Sequence, residues 1–262
     1  MTIPAKLGFV GAGAITSAIV TGLRSSRSPQ HAIWLSPRNP QIAADLAARF
    51  PLVSVASSNQ AVLDASDTVV LAIRPQVARE ALDSLRFRPD HRVISLVSSL
   101  PLRSVCDSVS PATRVSRAVP LPSAAMRRSP TAVYPPDSAA LDLFGAVGSA
   151  FAVDSEREFN ALCAATACIA SYFAFAECIA SWLAGQGIAR ETARDYIARI
   201  FSGLASEASE SRSFQSLAAD HATAGGLNQQ LLAHLGEQRV FESVSQGLDA
   251  VMHRITSASR HL

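Results

Sequence analysis

The stretch KLGFVGAGAITSA, residues 6–18, decides the fold of this chain. Its first half is a short apolar run typical of a β-strand, and from Ala14 onward its apolar spacing is that of a helix. Gly11 permits a tight turn, and Gly13 lets backbone N–H groups approach a pyrophosphate at the positive end of the helix. The pattern predicts a dinucleotide site, and the residues predicted to contact the cofactor here are Gly11, Gly13, Ala14 and Ile15. Because Thr16 replaces a small residue of the fingerprint, a glycine turn without a ligand is the alternative.

Composition narrows the class of protein. The chain has 262 residues, 48% of them hydrophobic and 17% charged, which is typical of a compact globular protein. Its formal net charge of +2 is too small for a surface that binds nucleic-acid phosphates. The first strand begins so early that we predict no signal peptide and a cytoplasmic protein. Four cysteines without C-x-x-C spacing predict buried free thiols and no metal site.

The turn after the second predicted strand, residues 32–35, indicates which cofactor is bound. Enzymes that prefer NAD carry an Asp or Glu here for the ribose 2′-hydroxyl, whereas NADP enzymes use Arg and small polar groups around the 2′-phosphate. This turn contains no acidic residue. We therefore predict NADPH, with its 2′-phosphate beside Ser36, Arg38 and Asn39. The alternative is an ordinary turn with one solvated arginine.

Six further segments have strand character: 53–55, 68–73, 93–97, 114–119, 131–134 and 151–153. The second of them is β-branched and apolar throughout, which is typical of a strand buried on both faces of a parallel sheet. Ligands bind such sheets outside the carboxyl ends of the strands. Further cofactor contacts are therefore predicted at Ala72, Ile73, Arg74, Gln76 and Ser98.

Strand character ends near residue 154, and Ser155 and Glu158 have the spacing of a helix capping box. We predict two domains, 1–154 and 155–262, the second all-helical. Residues 156–184 contain no proline or glycine and approach the apolar length of a membrane span. Glu177 interrupts this run, so we interpret it as a helix of a soluble protein, covered in a subunit interface. Further helices are predicted over 188–211 and from 229 onward.

Both halves resemble the pyrroline-5-carboxylate reductase family almost end to end. The resemblance rests on GAG at 11–13 with Ala18 behind it, AIRPQ at 72–76, RAVP at 117–120, the spacing of Glu177, Gly187, Arg190 and Gly203, and the glycine pair 225–226. It implies an NADPH-dependent reductase that delivers hydride to a cyclic imine, as in proline biosynthesis. It also implies a Rossmann domain followed by a helical domain that forms a homodimer or a higher homo-oligomer. From charge, the position of Glu177 and the cysteine spacing we expect no nucleic-acid partner, membrane or metal.

The resemblance also implies the residues of the substrate site. Substrate contacts are expected at Leu121, Thr166, Gly225, Gly226 and Asn228, and the candidates for a role in catalysis are Thr223 and Glu177. A protonated imine is already a good electrophile, so orientation and exclusion of water can replace a strong general acid. Glu177 either pairs with the iminium or satisfies a neighbouring arginine. Asn228 either helps to bind an anion or is only the N-cap of a helix.

Three departures from the family pattern fall at this substrate end. Leu121-Pro122-Ser123 stands for the family's Asn-Thr-Pro, and ATACIA at 165–170 stands for its Ser-Gly-Ser-Gly-Pro-Ala. The last motif reads TAGGLN at 223–228, without the two threonines that help to hold the substrate carboxylate. We therefore predict weak or absent turnover of pyrroline-5-carboxylate itself.

Two other functions are compatible with the cofactor half. One is an imine or keto-acid oxidoreductase with a different substrate, and the other is a non-catalytic NADP-binding sensor. The β-hydroxyacid dehydrogenases share this two-domain plan but rely on a lysine in the helical domain. Lys6 is the only lysine of this chain, which excludes that version.

Overall fold

The computed structural model describes residues 3–25, 31–98, 100–209 and 212–258. The chain divides into two compact units. The first consists of Met1–Cys163 and Met252–Leu262, and the second is Ala164–Val251.

A mostly parallel sheet forms the centre of the first unit. Its strands are β1 (Lys6–Val10), β2 (Ala32–Leu35), β3 (Val53–Val55), β4 (Thr68–Leu71), β5 (Arg92–Ser95), β6 (Arg114–Ala118), β7 (Ser129–Tyr134) and β8 (Gly148–Ala152). Their spatial order is β3-β2-β1-β4-β5-β6-β7-β8. Strands β1 to β6 are parallel, and β7 is antiparallel to β6. The order reverses between β1 and β4, so the topological switch point lies at the carboxyl ends of these two strands.

Helices cover both faces of this sheet. They are α1 (Ala14–Arg24), α2 (Pro40–Arg49), α3 (Asn59–Ala65), α4 (Pro75–Asp83), α5 (Leu102–Ser108), α6 (Ser138–Ala146) and α7 (Glu156–Ala165), with a 3-10 turn at Pro122–Met126. Successive strand residues point to opposite faces, so Phe9 and Val10 pack in different hydrophobic cores. Every residue of β4 is buried, which confirms the predicted two-sided burial. Lys6, the first residue of β1, is exposed at the amino edge of the sheet.

The remaining helices are α8 (Cys168–Gly185), α9 (Arg190–Ala208), α10 (Phe214–His221), α11 (Leu227–Glu237) and α12 (Val240–Ala258). The predicted continuous helix over 156–184 is wrong, because a turn at Thr166 and Ala167 separates α7 from α8. Ala167 N–H donates to the Ala164 carbonyl at 3.0 Å in this turn, and no proline or glycine announces it. Helix α10 was not predicted, although Ser213 caps it by accepting from the Ser216 N–H at 3.1 Å.

The capping box predicted at the start of α7 is formed on one side only: Ser155 caps the helix, but the Glu158 carboxylate binds the N–H of Asp154 rather than that of Ser155. Glu158 N–H donates to Ser155 Oγ at 3.2 Å, and Glu158 Oε2 accepts from Asp154 N–H at 3.2 Å. The first unit nevertheless continues to Cys163, because Phe159 and Cys163 belong to a buried cluster with residues of the sheet. The last strand of the sheet ends at Ala152, and the domain boundary at residue 154 remains a prediction.

In the apolar segment that comprises α7 and α8, several residues of α7 are buried and none of α8 is. By length and composition alone, Glu156–Gly185 is long and apolar enough to cross a membrane. The interruption at Thr166 divides it, and no residue of α8 is buried within the described chain. All four cysteines are free as predicted, but only Cys163 is buried, and Cys168 and Cys178 of α8 are exposed. The predicted burial of these two thiols is wrong for the isolated chain.

A buried histidine next to β2 makes stability depend on pH. His31 is 6% exposed, and its burial, together with the positive charge of Arg24, lowers its pKa from 6.5 to about 4. The unfolded chain therefore takes up this proton near pH 6.5 and the folded chain only near pH 4. We expect His31 to reduce the free energy of unfolding by about 2 kcal/mol between pH 7 and pH 5.

Urea unfolding of the native protein and of His31→Gln at these two pH values measures this contribution. The variant should lose less stability than the native protein on acidification. It keeps the smaller effect of His91, whose pKa is also lowered by burial. Equal losses in the two proteins would contradict the assignment.

Candidate cofactor and active site

The turn between β1 and α1 is fixed by three neighbours. Gly11 has φ +105°, and a Cβ there would collide with the backbone carbonyl of Ala72 at the end of β4. Its N–H donates to Ser36 Oγ at 2.9 Å, and its carbonyl accepts from Thr16 Oγ1 at 2.6 Å. Thr16 is fully buried, so its hydroxyl closes the turn from the side of the helix. Thr16, which departs from the fingerprint, thus stabilises the glycine turn.

Gly13 leaves the beginning of α1 open. It is the N-cap residue in an extended conformation, and no side chain caps the helix. The described residues place no atom within 4 Å of a Cβ built on Gly13. The N–H groups of the first helical turn have no partner in the helix and carry its positive dipole end, so they are available to an anion.

A cavity of about 300 Å³ lies at this turn. Its walls are formed by Gly11, Ala12, Gly13, Arg38, Asn39, Ala72, Ile73, Arg74 and Val77. These residues follow the carboxyl ends of β1, β2 and β4, which is the switch point of the sheet. The set contains two arginines and no carboxylate. The charge of these walls therefore suits a phosphorylated ligand.

The other predicted cofactor residues lie around this cavity in different ways. Ser36 is fully buried beneath the turn, where its hydroxyl supports Gly11. Ile15 is half-buried and packs against the core beneath α1. Ala14 and Gln76 are exposed in the first turns of α1 and α4, and Ser98 is exposed after β5. The structure thus brings Gly11, Gly13 and Arg38 together with Asn39, Ala72, Ile73 and Arg74 in one wall.

Arg117 of β6 forms a buried polar cluster that the sequence did not single out as a site. Its Nη1 donates to Glu156 Oε1 at 2.7 Å, and its Nη2 donates to the Ser98 carbonyl at 2.8 Å. Its guanidinium lies 4.4 Å from the ring centroid of Phe159. Burial lowers the pKa of Arg117 and Glu156 opposes this, while burial raises the pKa of neighbouring Cys163 to about 11. The only sequence signal was the RAVP motif.

The predicted Glu177 lies in a groove of about 420 Å³ between α8 and α9. Glu177 is exposed and accepts from Ser181 Oγ at 2.9 Å. Arg194, across the groove, pairs with Asp195 at 2.8 Å. Tyr172 is 46% exposed and meets the Phe201 ring edge-on at 5.2 Å between centroids. The groove is thus largely apolar, with three aromatic rings, one carboxylate and one guanidinium in its walls.

The glycine pair before α11 forms a compact turn. Gly225 has φ +73°, and its N–H donates to Gln229 Oε1 at 2.7 Å. Gly226 N–H donates to the Thr223 carbonyl at 2.9 Å, and Gly226 is the N-cap residue. The interpretation of Asn228 as the N-cap is therefore wrong, since Asn228 is exposed within the first helical turn. This turn collects four of the predicted residues: Thr223, Gly225, Gly226 and Asn228.

The last two predicted residues belong to other elements. Leu121 precedes the 3-10 turn of the first unit, and its N–H donates to Ser129 Oγ at 2.8 Å. Thr166 is half-buried in the turn between α7 and α8. No group of His, Cys, Asp or Glu within the described ranges has the arrangement of a metal site.

Comparison with known proteins shows which enzymes this chain resembles. Residues 6–99 match the model described as NADP oxidoreductase, coenzyme F420-dependent, and residues 156–258 match the model of pyrroline-5-carboxylate reductase dimerisation. The pyrroline-5-carboxylate reductase of Pseudomonas aeruginosa is 28% identical over 199 residues, 72% of each chain. The 1-pyrroline-5-carboxylate reductase of Streptococcus pyogenes superposes with a TM-score of 0.83 at 25% identity, covering 96% of this chain and 98% of its own. Over almost its whole length, this chain is similar to pyrroline-5-carboxylate reductases.

The fold of the family is shared by more distant members. The Plasmodium falciparum pyrroline carboxylate reductase, solved with NADP bound, superposes with a TM-score of 0.83 at 17% identity, over 98% of this chain and 100% of its own. The predicted fold class is confirmed: a Rossmann-like α/β domain precedes the helical domain of the pyrroline-5-carboxylate reductases.

Proposed function

We propose that this protein is an NADPH-dependent reductase that adds hydride to the carbon of a cyclic C=N bond, as a member of the pyrroline-5-carboxylate reductase family. The observation that carries the proposal is the cavity at the switch point, with an open helix N-terminus on one side and Arg38 and Arg74 in its walls. Its location suits a dinucleotide, and its charge suits a phosphorylated one.

The residues present fit NADPH at three places. Gly13 leaves room for a pyrophosphate against the first turn of α1. Arg38 and Asn39 are exposed after β2, where the fold positions the adenosine ribose. Ser36 acts indirectly, since its hydroxyl holds the Gly11 N–H and with it the course of the turn. When bound, NADPH supplies the hydride, and these residues bind and orient it.

The choice of NADPH over NADH is tested with Arg38→Ala. Loss of a charge-assisted contact with the 2′-phosphate should weaken NADPH binding by about 1.5–3 kcal/mol, roughly ten- to hundred-fold, and leave NADH binding almost unchanged. Arg79→Ala, an exposed arginine of α4 outside the cavity wall, is the matched control. Dissociation constants from fluorescence titration decide the point. Tighter binding of NADH by the native protein would contradict the proposal.

We propose that the substrate is bound by the turn that precedes α11. Thr223 presents a hydroxyl, and the N–H groups of Leu227 and Asn228 belong to the open first turn of α11. The Gly225 and Gly226 N–H groups are used within the turn, which leaves fewer donors for a carboxylate. Glu177 then serves to stabilise an iminium charge. Leu121 and Thr166 remain predicted substrate contacts.

A panel of imines tests the reaction and its substrate class together. NADPH oxidation is measured with pyrroline-5-carboxylate, pyrroline-2-carboxylate and uncharged cyclic imines. We expect pyrroline-5-carboxylate to be reduced about a hundred-fold less efficiently than the best uncharged imine, because each missing donor to a charged group costs about 1.5 kcal/mol. Efficient proline formation would show that the substituted threonines are dispensable. Tight NADPH binding without turnover of any imine or keto acid would favour the non-catalytic sensor.

We further propose a cytoplasmic homodimer or higher homo-oligomer without nucleic-acid or membrane partners. The support is the apolar helix α8, of which no residue is buried within the described chain. Phe173 is 65% exposed and Trp182 63% exposed. Aromatic side chains on this scale mark an association surface. The match of residues 156–258 to a dimerisation model agrees with this interpretation.

A further inference from the structure

Arg117 keeps a charged guanidinium almost entirely inside the first unit, with 2% of its surface exposed. Its two terminal nitrogens reach in different directions, one to Glu156 at the start of α7 and one to the carbonyl of Ser98 after β5. Asn160 Oδ1 lies 3.4 Å from the first of these nitrogens. A single side chain thus joins the carboxyl end of one strand to the first turns of a helix.

Stability alone does not account for this arrangement. The cost of desolvating the Arg117 guanidinium is about as large as the attraction it gains from Glu156, whose side chain is 36% exposed. The Nε of Arg117 is also buried without a hydrogen-bond partner among the described residues. An unpaired buried donor costs further stability. What the cluster provides is a fixed position for the groups it contacts.

Those groups flank the connection between β5 and α5. Ser98 lies within it, and Leu102 N–H, at the start of α5, donates to Glu156 Oε1 at 2.8 Å, the same oxygen that pairs with Arg117. Dinucleotide folds bind one nucleotide on each side of the switch point. Arg38 and Asn39 lie after β2, which assigns the adenosine to the side of β1 to β3. The nicotinamide therefore belongs to the side of β4 to β6, where Ser98 lies.

We propose that Arg117 is a positioning residue for the nicotinamide half of the cofactor. It fixes the backbone at Ser98 directly and the start of α5 through Glu156, and so sets the protein surface next to the reacting ring. This rests on the proposed NADPH-dependent function. Without Arg117 the adenosine half should bind as before, while the nicotinamide half loses its defined position.

The experiment compares two ligands with Arg117→Met, which keeps the side-chain length and removes the charge. NADPH contains both halves, whereas 2′,5′-ADP carries the adenosine and its phosphates without the nicotinamide. We expect the dissociation constant of NADPH to rise about five- to ten-fold and that of 2′,5′-ADP to stay within about two-fold. With the best imine of the panel, kcat should fall roughly ten- to hundred-fold. The isotope effect with 4-deuterated NADPH should increase, because hydride transfer becomes more rate-limiting.

Arg92→Met is the matched control. Arg92 lies at the amino end of β5, the strand that Ser98 follows, and its Nε donates to Asp137 Oδ2 at 3.0 Å. It should leave both dissociation constants and the isotope effect unchanged. Arg117→Lys, which keeps the charge but reaches one partner at a time, should recover part of kcat. Glu156→Gln tests the same cluster should Arg117→Met fail to fold.

Two results would overturn the proposal: equal weakening of NADPH and 2′,5′-ADP, or unchanged NADPH binding and kcat in a folded Arg117→Met. A native protein that binds NADPH but reduces no imine contradicts the proposed reaction, and the ligand pair then decides on Arg117 alone. A native protein that binds neither ligand contradicts both.

Discussion

Replacing Gly13 with aspartate is expected to abolish NADPH binding without destabilising the fold. The N-cap position of α1 has no side-chain cap at present, and aspartate is among the best N-cap residues. A Cβ at Gly13 meets no atom within 4 Å, and its φ of −96° suits any residue. The new carboxylate would lie where the pyrophosphate binds, and repulsion at about 4 Å costs on the order of 4 kcal/mol near a protein surface.

A thousand-fold loss of NADPH affinity is therefore expected from Gly13→Asp, together with an unchanged or higher urea midpoint. Gly13→Asn is the matched control, because it caps the helix with nearly the same volume and no charge. It should retain substantially more affinity than the aspartate variant. The two variants separate charge from steric obstruction. Undiminished NADPH binding by Gly13→Asp would show that the pyrophosphate does not bind at this turn.

A carboxylate on α8 is expected to dissociate the proposed oligomer. In the described chain, Ala174 is exposed and Trp182 is 63% exposed, so Ala174→Glu and Trp182→Glu should leave each chain able to fold. In an association surface, each unpaired buried charge costs about 3 kcal/mol or more, and a two-fold dimer buries two. The dimer dissociation constant should rise by at least about a thousand-fold.

Light scattering and sedimentation at micromolar concentration measure this change. Val55→Glu is the control, because Val55 is an exposed apolar residue of β3 in the first unit and should not affect association. Imine reduction should be lost together with the oligomer if sites are shared between chains. A native protein that stays monomeric, or α8 variants that remain associated, would contradict the prediction.

The sheet was predictable because its signals are local. Alternating strand and helix patterns, glycines directly after β1 and an apolar β4 together define the α/β class. The helical half was less predictable because its breaks lack such local signals. Thr166 and Ala167 are compatible with a helix, and neither residue type marks the turn that separates α7 from α8. Packing between distant elements leaves no periodic trace in the sequence.

In the candidate site, too, some residues were predictable from a local motif and others depend on contacts between distant residues. Gly11, Gly13 and Arg38 could be predicted because a known backbone motif specifies their positions. The support given by Ser36 and the cluster around Arg117 depend on which strand lies next to which, and so on contacts between residues far apart in the chain. The substrate end was predicted mainly from resemblance, and at Asn228 the structure rules out only the alternative of an N-cap.

Lys6 begins β1 at the amino edge of the sheet, on the opposite side from the glycine turn. Because it is the only lysine, an amine-reactive dye attaches to one side chain of each protein molecule, apart from the terminal amine. The label would stand away from the cofactor cavity and report on rotation or energy transfer without obstructing it. The scarcity of lysine also confines modifications of its side chain, such as acetylation, to this one edge.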